Sequence, residues 1–286
     1  MEEKSVKKLN GWQRLLIILC AVLFFVGACL GVLQTGAKYT ETHWEYFTPN
    51  YAKLDIVPIL EKSELTNEDY ELLYRQTGLK KLGIDGLRDS QRIDRILLIQ
   101  SYFFSNPALE TVHFAPFTYL EEVGTTAPLA MLEDGDIIVS ATTRVSWWRY
   151  GHSTLVINGA ENLILEALEP GSKSKISQAS SMANLANFLI LRPKVAKETK
   201  KEMIEFAYNN LLGVKYRLTT GVFSKKYNPN KLKGTQCAHL VWYAYKKFGV
   251  DLDSNGGAIV KPQDMALSDK VEVVQAFGFD LDKLWS

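Results

Sequence analysis

Hydrophobic positions along this chain fall into three regimes. The first is a solid block: residues 15–33 read LLIILCAVLFFVGACLGVL, with no charge. At about 1.5 Å rise per residue, such a helix nearly spans a hydrocarbon core of roughly 30 Å. The second regime, residues 37–131, is spaced mainly for helices. Thr66-Asn67-Glu68-Asp69 predicts a capped start, Leu72, Leu73 and Gln76 continue the turns, and Gly78 ends them. Residues 90–104 predict a further helix with Ile93, Ile96 and Leu97 on its apolar side. At Leu132 the spacing shortens to β-branched runs. Residues 136–139 predict a strand, and 152–157 with 162–168 a hairpin about Asn158-Gly159. Residues 188–191 form another strand stopped by Pro193. Residues 199–212 predict an amphipathic helix with Met203, Ile204, Ala207, Tyr208, Leu211 and Leu212 on one face. A helix over 235–248 and an edge strand over 271–274 complete the pattern. The expected fold class is α+β, an antiparallel sheet packed on helices. Its parts are an anchor (1–36), a mainly helical accessory region (37–131) and a C-terminal domain (132–286).

Charge changes the picture at one end only. With 33 Lys+Arg against 32 Asp+Glu, the net charge is +1, so there is no basic field for nucleic acid and no acidic tail. Lys4, Lys7, Lys8 and Arg14 precede the apolar block, and Trp12 sits at its edge, which places the N-terminus in the cytoplasm and everything after Gln34 outside. The membrane is therefore an expected partner through residues 15–33. An uncleaved anchor fits best, because the block exceeds a signal-peptide core of about 7–15 residues. Two alternatives stay open: cleavage, and a lipoprotein anchored at Cys29 in Val26-Gly27-Ala28-Cys29.

Cys20 and Cys29 lie in the apolar block, so Cys237 is the single thiol of the folded part. It precedes the run Leu240-Val241-Trp242-Tyr243-Ala244, and Thr235 is the expected cap of that helix. First-turn N–H groups and the helix dipole favour an anion, the form in which a thiol is a nucleophile. From Cys237 the positions Val241, Ala244 and Phe248 form a stripe that would hold the sulfur in place. The bland alternative is a small buried hydrophobe.

A thiol nucleophile needs a base. His239 is about 200° around the helix and cannot reach the sulfur, so it reads as a surface or packing residue. His43 and His113 have no partners at metal-ligand spacing, and no cofactor or metal is expected. His152, opening a strand, is the better candidate. If Asn158-Gly159-Ala160 is a three-residue loop, Ile157 opposes Glu161 and His152 opposes Glu166 on one face. A carboxylate there would orient the imidazole and favour its protonated form. A slip of one residue would send Glu166 to the other face, where it would be a solvated strand residue.

The order histidine, carboxylate, cysteine resembles the circularly permuted NlpC-type papain-like cysteine hydrolases (the YiiX/YebB-like group). The matching pieces are Gly135-Asp136-Ile137-Ile138, Gly151-His152-Ser153, Leu165-Glu166-Ala167, Gly213-Val214-Lys215-Tyr216, Gln236-Cys237-Ala238-His239-Leu240-Val241-Trp242 and Lys261-Pro262-Gln263-Asp264. They cover residues 132–277. The resemblance implies attack by Cys237 on an acyl carbon, with His152 as base and Glu166 as orienter. It also implies Tyr216 and Gln236 near the oxyanion, although Tyr216 fits packing against the 199–212 helix equally well. Ala238 and His239 depart from the small hydroxyl and acidic residue expected after the nucleophile, which puts the substrate pocket in doubt. Trp147 and Trp148 either wall a cleft, stacking on a sugar or an acyl chain, or serve as core or rim packing. Three functions follow: an outward-facing amidase or peptidase acting on peptide or peptidoglycan, a lipid-directed acyltransferase or esterase, and a non-catalytic binding module.

Overall fold

The computed structural model describes residues 10–42, 46–115, 118–145 and 148–285; of residues 36–42, 113–115, 145 and 148 it describes the backbone alone. His43 and Trp147 lie outside the described residues, as do the side chains of His113 and Trp148. Two units are resolved, residues 1–45 and residues 46–286.

The first unit is the helix α1 (Gly11–Thr42). It begins before the apolar block because Asn10 and Gln13 cap it reciprocally: Gln13 N–H donates to Asn10 Oδ1 at 2.8 Å, and Asn10 N–H to Gln13 Oε1 at 3.0 Å. Its stretch 11–35, which holds an 18-residue window of mean hydropathy 3.0, is long and apolar enough to cross a membrane, as an anchor or a signal sequence.

The second unit is mixed. The helices α2 (Val57–Leu60), α3 (Asn67–Thr77), α4 (Lys81–Asp89) and α5 (Ile93–Phe103) come first. Thr66 and Asp69 form the predicted capping box of α3, and Gly78 closes it in the left-handed region at φ +72°. Two strands follow that the helical reading of residues 37–131 does not contain, β1 (Glu110–Ala115) and β2 (Thr118–Glu122). With β4 (Arg144–Val145) and β5 (Trp148–Arg149) they make a small sheet in the order β1-β2-β4-β5. The main sheet contains β3 (Ile137–Ser140), β6 (His152–Asn158), β7 (Leu163–Glu166), β8 (Lys175–Gln178), β9 (Phe188–Pro193) and β10 (Val271–Phe277). Its order is β10-β9-β3-β6-β7-β8, with every neighbouring pair antiparallel. The remaining helices are α6 (Ser180–Ala183), α7 (Lys197–Asn210), α8 (Cys237–Lys247) and α9 (Pro262–Ala266).

The 46–131 segment belongs to this same unit and is stitched to β10. Leu79 bridges Gln275, whose side-chain amide accepts from Ala130 N at 2.6 Å and donates to Pro128 O at 2.9 Å. Helices α7 and α8 share one core with Ile137, Val139, Leu155, Ile157, Leu165, Leu189 and Leu191, which Tyr74 and Phe103 also join. In α7, Met203, Ala207 and Leu211 are buried, but Tyr208 and Leu212 of the predicted apolar face are exposed. Helix α8 corrects the expected one-sided stripe: every residue from Cys237 to Tyr245 is buried, while Phe248 is its half-buried C-cap. A helix covered all round needs its polar tips paired. Trp242 Nε1 donates to Asp251 at 2.7 Å, Tyr243 Oη to Asn228 O at 2.6 Å, and Tyr245 Oη to Gly135 O. Burying each large side chain stabilises by about 1.5–3 kcal/mol, so the start of α8 is rigidly held.

Candidate active site

His152 is delivered by Gly151. That glycine has φ +80°, and a Cβ on it would lie 2.6 Å from Ser140 O and 3.2 Å from Pro262 Cγ. No other residue type fits a left-handed turn pressed this closely on β3 and α9. The chain leaves it with His152 paired to Ser140 at the start of β6.

Glu166 reaches the same face by a different register from the expected one. The loop holds four residues, 159–162, with Asn158 opposite Leu163. Carried along the strands, that pairing would set Glu166 opposite Leu155, on the face away from His152. An irregularity between Val156 and Asn158 inserts one extra residue and moves the pairing to Leu155↔Leu165. Glu166 then falls two positions from its expected partner, diagonal to His152. Because side chains alternate with period two, this displacement keeps the face. The ring Nε2 lies 2.9 Å from Glu166 Oε2. A carboxylate only accepts, so Nε2 carries the hydrogen and Nδ1 is the nitrogen left for the sulfur. Ser177 Oγ donates to the second oxygen, Oε1.

Cys237 is the first residue of α8. The cap is Gln236, not Thr235: Gln236 Oε1 accepts from Ala238 N at 2.9 Å, and its Nε2 donates to Val260 O at 2.7 Å. Gln236, expected beside an oxyanion, thus ties the Cys237 turn to the segment before α9. Thr235 Oγ1 instead lies 3.0 Å from His239 Nδ1. His239 Nε2 donates to Lys226 O at 2.6 Å, so both ring nitrogens are committed away from the sulfur. This histidine is a packing residue, 1 % exposed.

The Cys237 thiol donates to Gln236 Oε1 at 3.5 Å and adjoins the His152 ring. Burial lowers the imidazole pKa, but the hydrogen-bonding and charge contacts with Cys237 and Glu166 outweigh it and raise the value to about 10. Burial likewise works to raise the Glu166 pKa, and the His152 hydrogen bond and charge, with Ser177, bring it below the ordinary value. For His239 burial dominates; the hydrogen bond to Lys226 O offsets only part of it, the Lys226 charge adds to it, and the value falls to about 4. Two phenols lie within electrostatic reach of the Cys237 sulfur. Burial first and the sulfur second hold both Tyr216 and Tyr150 in the neutral, donor-competent form.

Among the described residues, no group of three or more His, Cys, Asp or Glu side chains is arranged to hold a metal ion. No protein family, curated protein or solved structure matched this chain. The chemistry therefore rests on its own geometry: a thiol, an imidazole and a carboxylate in sequence, with neutral phenols nearby.

Tyr150, Ser177 and Val260 are site neighbours that sequence reasoning did not select. Tyr150 is signalled only by its place before Gly151. Ser177 becomes visible once Ile164↔Ser177 fixes its face of β8, and Val260 contributes a carbonyl, which no side-chain pattern reveals. The Lys261-Pro262-Gln263-Asp264 piece is structural here: Asp264 Oδ2 accepts from Lys261 N at 2.7 Å, capping α9, and Pro262 backs Gly151.

Proposed function

We propose that this chain is a cysteine hydrolase with a permuted papain-like arrangement, acting on amide bonds of peptide or cell-wall peptide. Cys237 is its nucleophile, His152 its proton carrier and Glu166 the group that orients the ring. One observation carries the reading. His152, from a hairpin, meets both a carboxylate at 2.9 Å and a sulfur from a helix far along the chain.

In the proposed cycle the sulfur attacks the carbonyl carbon, and the new oxyanion accepts from the Cys237 backbone N–H and the Tyr216 hydroxyl. Protonated His152 gives its Nδ1 proton to the leaving amine as the C–N bond breaks, leaving a thioester. Water then attacks the thioester, with His152 taking its proton. The C–S bond breaks, the acid leaves, and the imidazolium–sulfur pair is restored. The basic residues before α1 support an outward-facing domain on a single-pass anchor.

The test is release of new amino groups from peptidoglycan stem peptides by the purified chain and by its Cys237→Ala variant. Release by the parent alone supports the reading, and equal release by both rejects it. A labelled acyl chain held on Cys237 as a thioester, with no peptide cleavage, would move the substrate class to lipid.

A further inference from the structure

A cavity of about 200 Å³ lies in the 217–234 connection leading into α8. Its lining includes Arg217, Lys225, Lys226, Lys231 and Lys233, and no carboxylate. Segment 217–234 contains no Asp or Glu, in a chain whose charges otherwise balance. Lys226 is neutralised by Asp253 and also donates to Gly257 O. Arg217, Lys225, Lys231 and Lys233 have no ion-pair partner among the described residues. Four uncompensated like charges around one hollow repel one another until an anion enters.

An apolar tip projects from the same segment. Phe223 is 85 % exposed and Val222 49 %. The tip is built rather than frayed. Gly221 sits at φ +96°, where a Cβ would lie 1.8 Å from Ala258 O. Val222 N and Phe223 N both donate to Thr219 O, at 3.0 and 3.2 Å. Thr220 Oγ1 donates to Arg217 O at 3.0 Å and Gly234 O at 3.2 Å, joining the two ends of the segment. The aromatic ring is thus held out in solvent by a hydrogen-bonded turn. Cations at phosphate depth with an aromatic ring and a valine beyond them match the boundary between headgroups and acyl chains.

We propose that residues 217–234 dock on an anionic phospholipid surface, with a headgroup phosphate entering the cationic cavity and Phe223 and Val222 entering the acyl boundary. This does not depend on the hydrolase reading. It does bear on that site, because Arg217 N donates to Thr235 O at 2.6 Å and His239 Nε2 to Lys226 O at 2.6 Å. The docking segment is therefore bonded to the turn that carries Cys237.

The test uses the full chain in nanodiscs of phosphatidylcholine alone and of phosphatidylcholine with phosphatidylglycerol in equal parts. Amide hydrogen exchange is read over residues 217–234, with residues 137–140 as the control for folding. The expected result is exchange slowed about tenfold or more in the anionic discs, since each surface cation contributes to anionic-lipid attraction. The slowing is lost in K225Q/K231Q/K233Q and reduced in F223S, with the control unchanged. Equal exchange in the two discs overturns the proposal. So does equal slowing by inorganic phosphate in phosphatidylcholine discs, which would assign the cavity to a free anion.

Discussion

Two histidines flank the Cys237 turn, both buried, and their protons behave in opposite ways. Burial works against the charged form of each. Around His152 the partners are a sulfur and a carboxylate, and they carry its pKa up to about 10. Around His239 the partners are a carbonyl and a hydroxyl, with the Lys226 charge adding to burial, and its pKa falls to about 4. Low exposure sets the size of the electrostatic cost, and the charge of the partners decides its sign. One ring is held charged between a sulfur and a carboxylate. The other is a bolt between α8 and the segment before it.

The comparison breaks most visibly at its shared neighbour. Cys237→Ala is expected to lower amide hydrolysis at least ~10³-fold while leaving the fold intact, checked by rate and thermal midpoint together. Glu166→Gln keeps the shape but removes the charge that orients His152. We expect a rate loss of about 10²-fold and a lower His152 pKa, checked by kinetics and by NMR titration of labelled histidine. The same titration sharpens the contrast in the parent chain: His152 stays charged at pH 8, and His239 stays neutral at pH 5.

His152 has a folded pKa raised from the ordinary 6.5 to about 10, so its contribution is complete below pH 6.5 and is lost as pH rises through 10. The His239 value is depressed from 6.5 to about 4, so its contribution is complete above pH 6.5 and is lost as pH falls toward 4. Denaturant midpoints measured across pH check both windows, each read as the difference from a variant lacking that histidine. The smallest effect belongs to Thr235→Val, which leaves His239 Nδ1 without its partner. It should cost about 1 kcal/mol of unfolding free energy with the His152 titration unmoved.

Local patterns made much of this legible. The Thr66–Asp69 capping box, the hairpin about Asn158-Gly159 and the uncharged run at 15–33 each depend on neighbours within a few residues; each is present, though the hairpin loop holds four residues, 159–162, in place of the expected three. The pairing of His152 with Glu166 was anticipated through a register two positions off. It survives because the error was even, and the extra residue beside Ile157 that makes it even has no local signal. Residue preference points to Thr235 as the cap of α8, since Thr is usually a better cap than Gln. Gln236 takes the position because Val260 O, far along the chain, holds its Nε2. The strands β1 and β2 escape the pattern because their apolar spacing is weak, and β4, the second partner of β2, lies beyond residue 140.

By itself the sequence determined what near neighbours determine: an apolar block able to span a membrane, strand and helix periods, and one thiol at a helix start. Tertiary structure decided what depends on distant segments. It chose the parity of the β6–β7 hairpin, the joining of residues 46–131 to β10, and the sign of each buried histidine. The physical reason is range. Propensity and periodicity act over a few residues, whereas a pKa and a strand register answer to whichever remote groups the fold brings within a few ångströms.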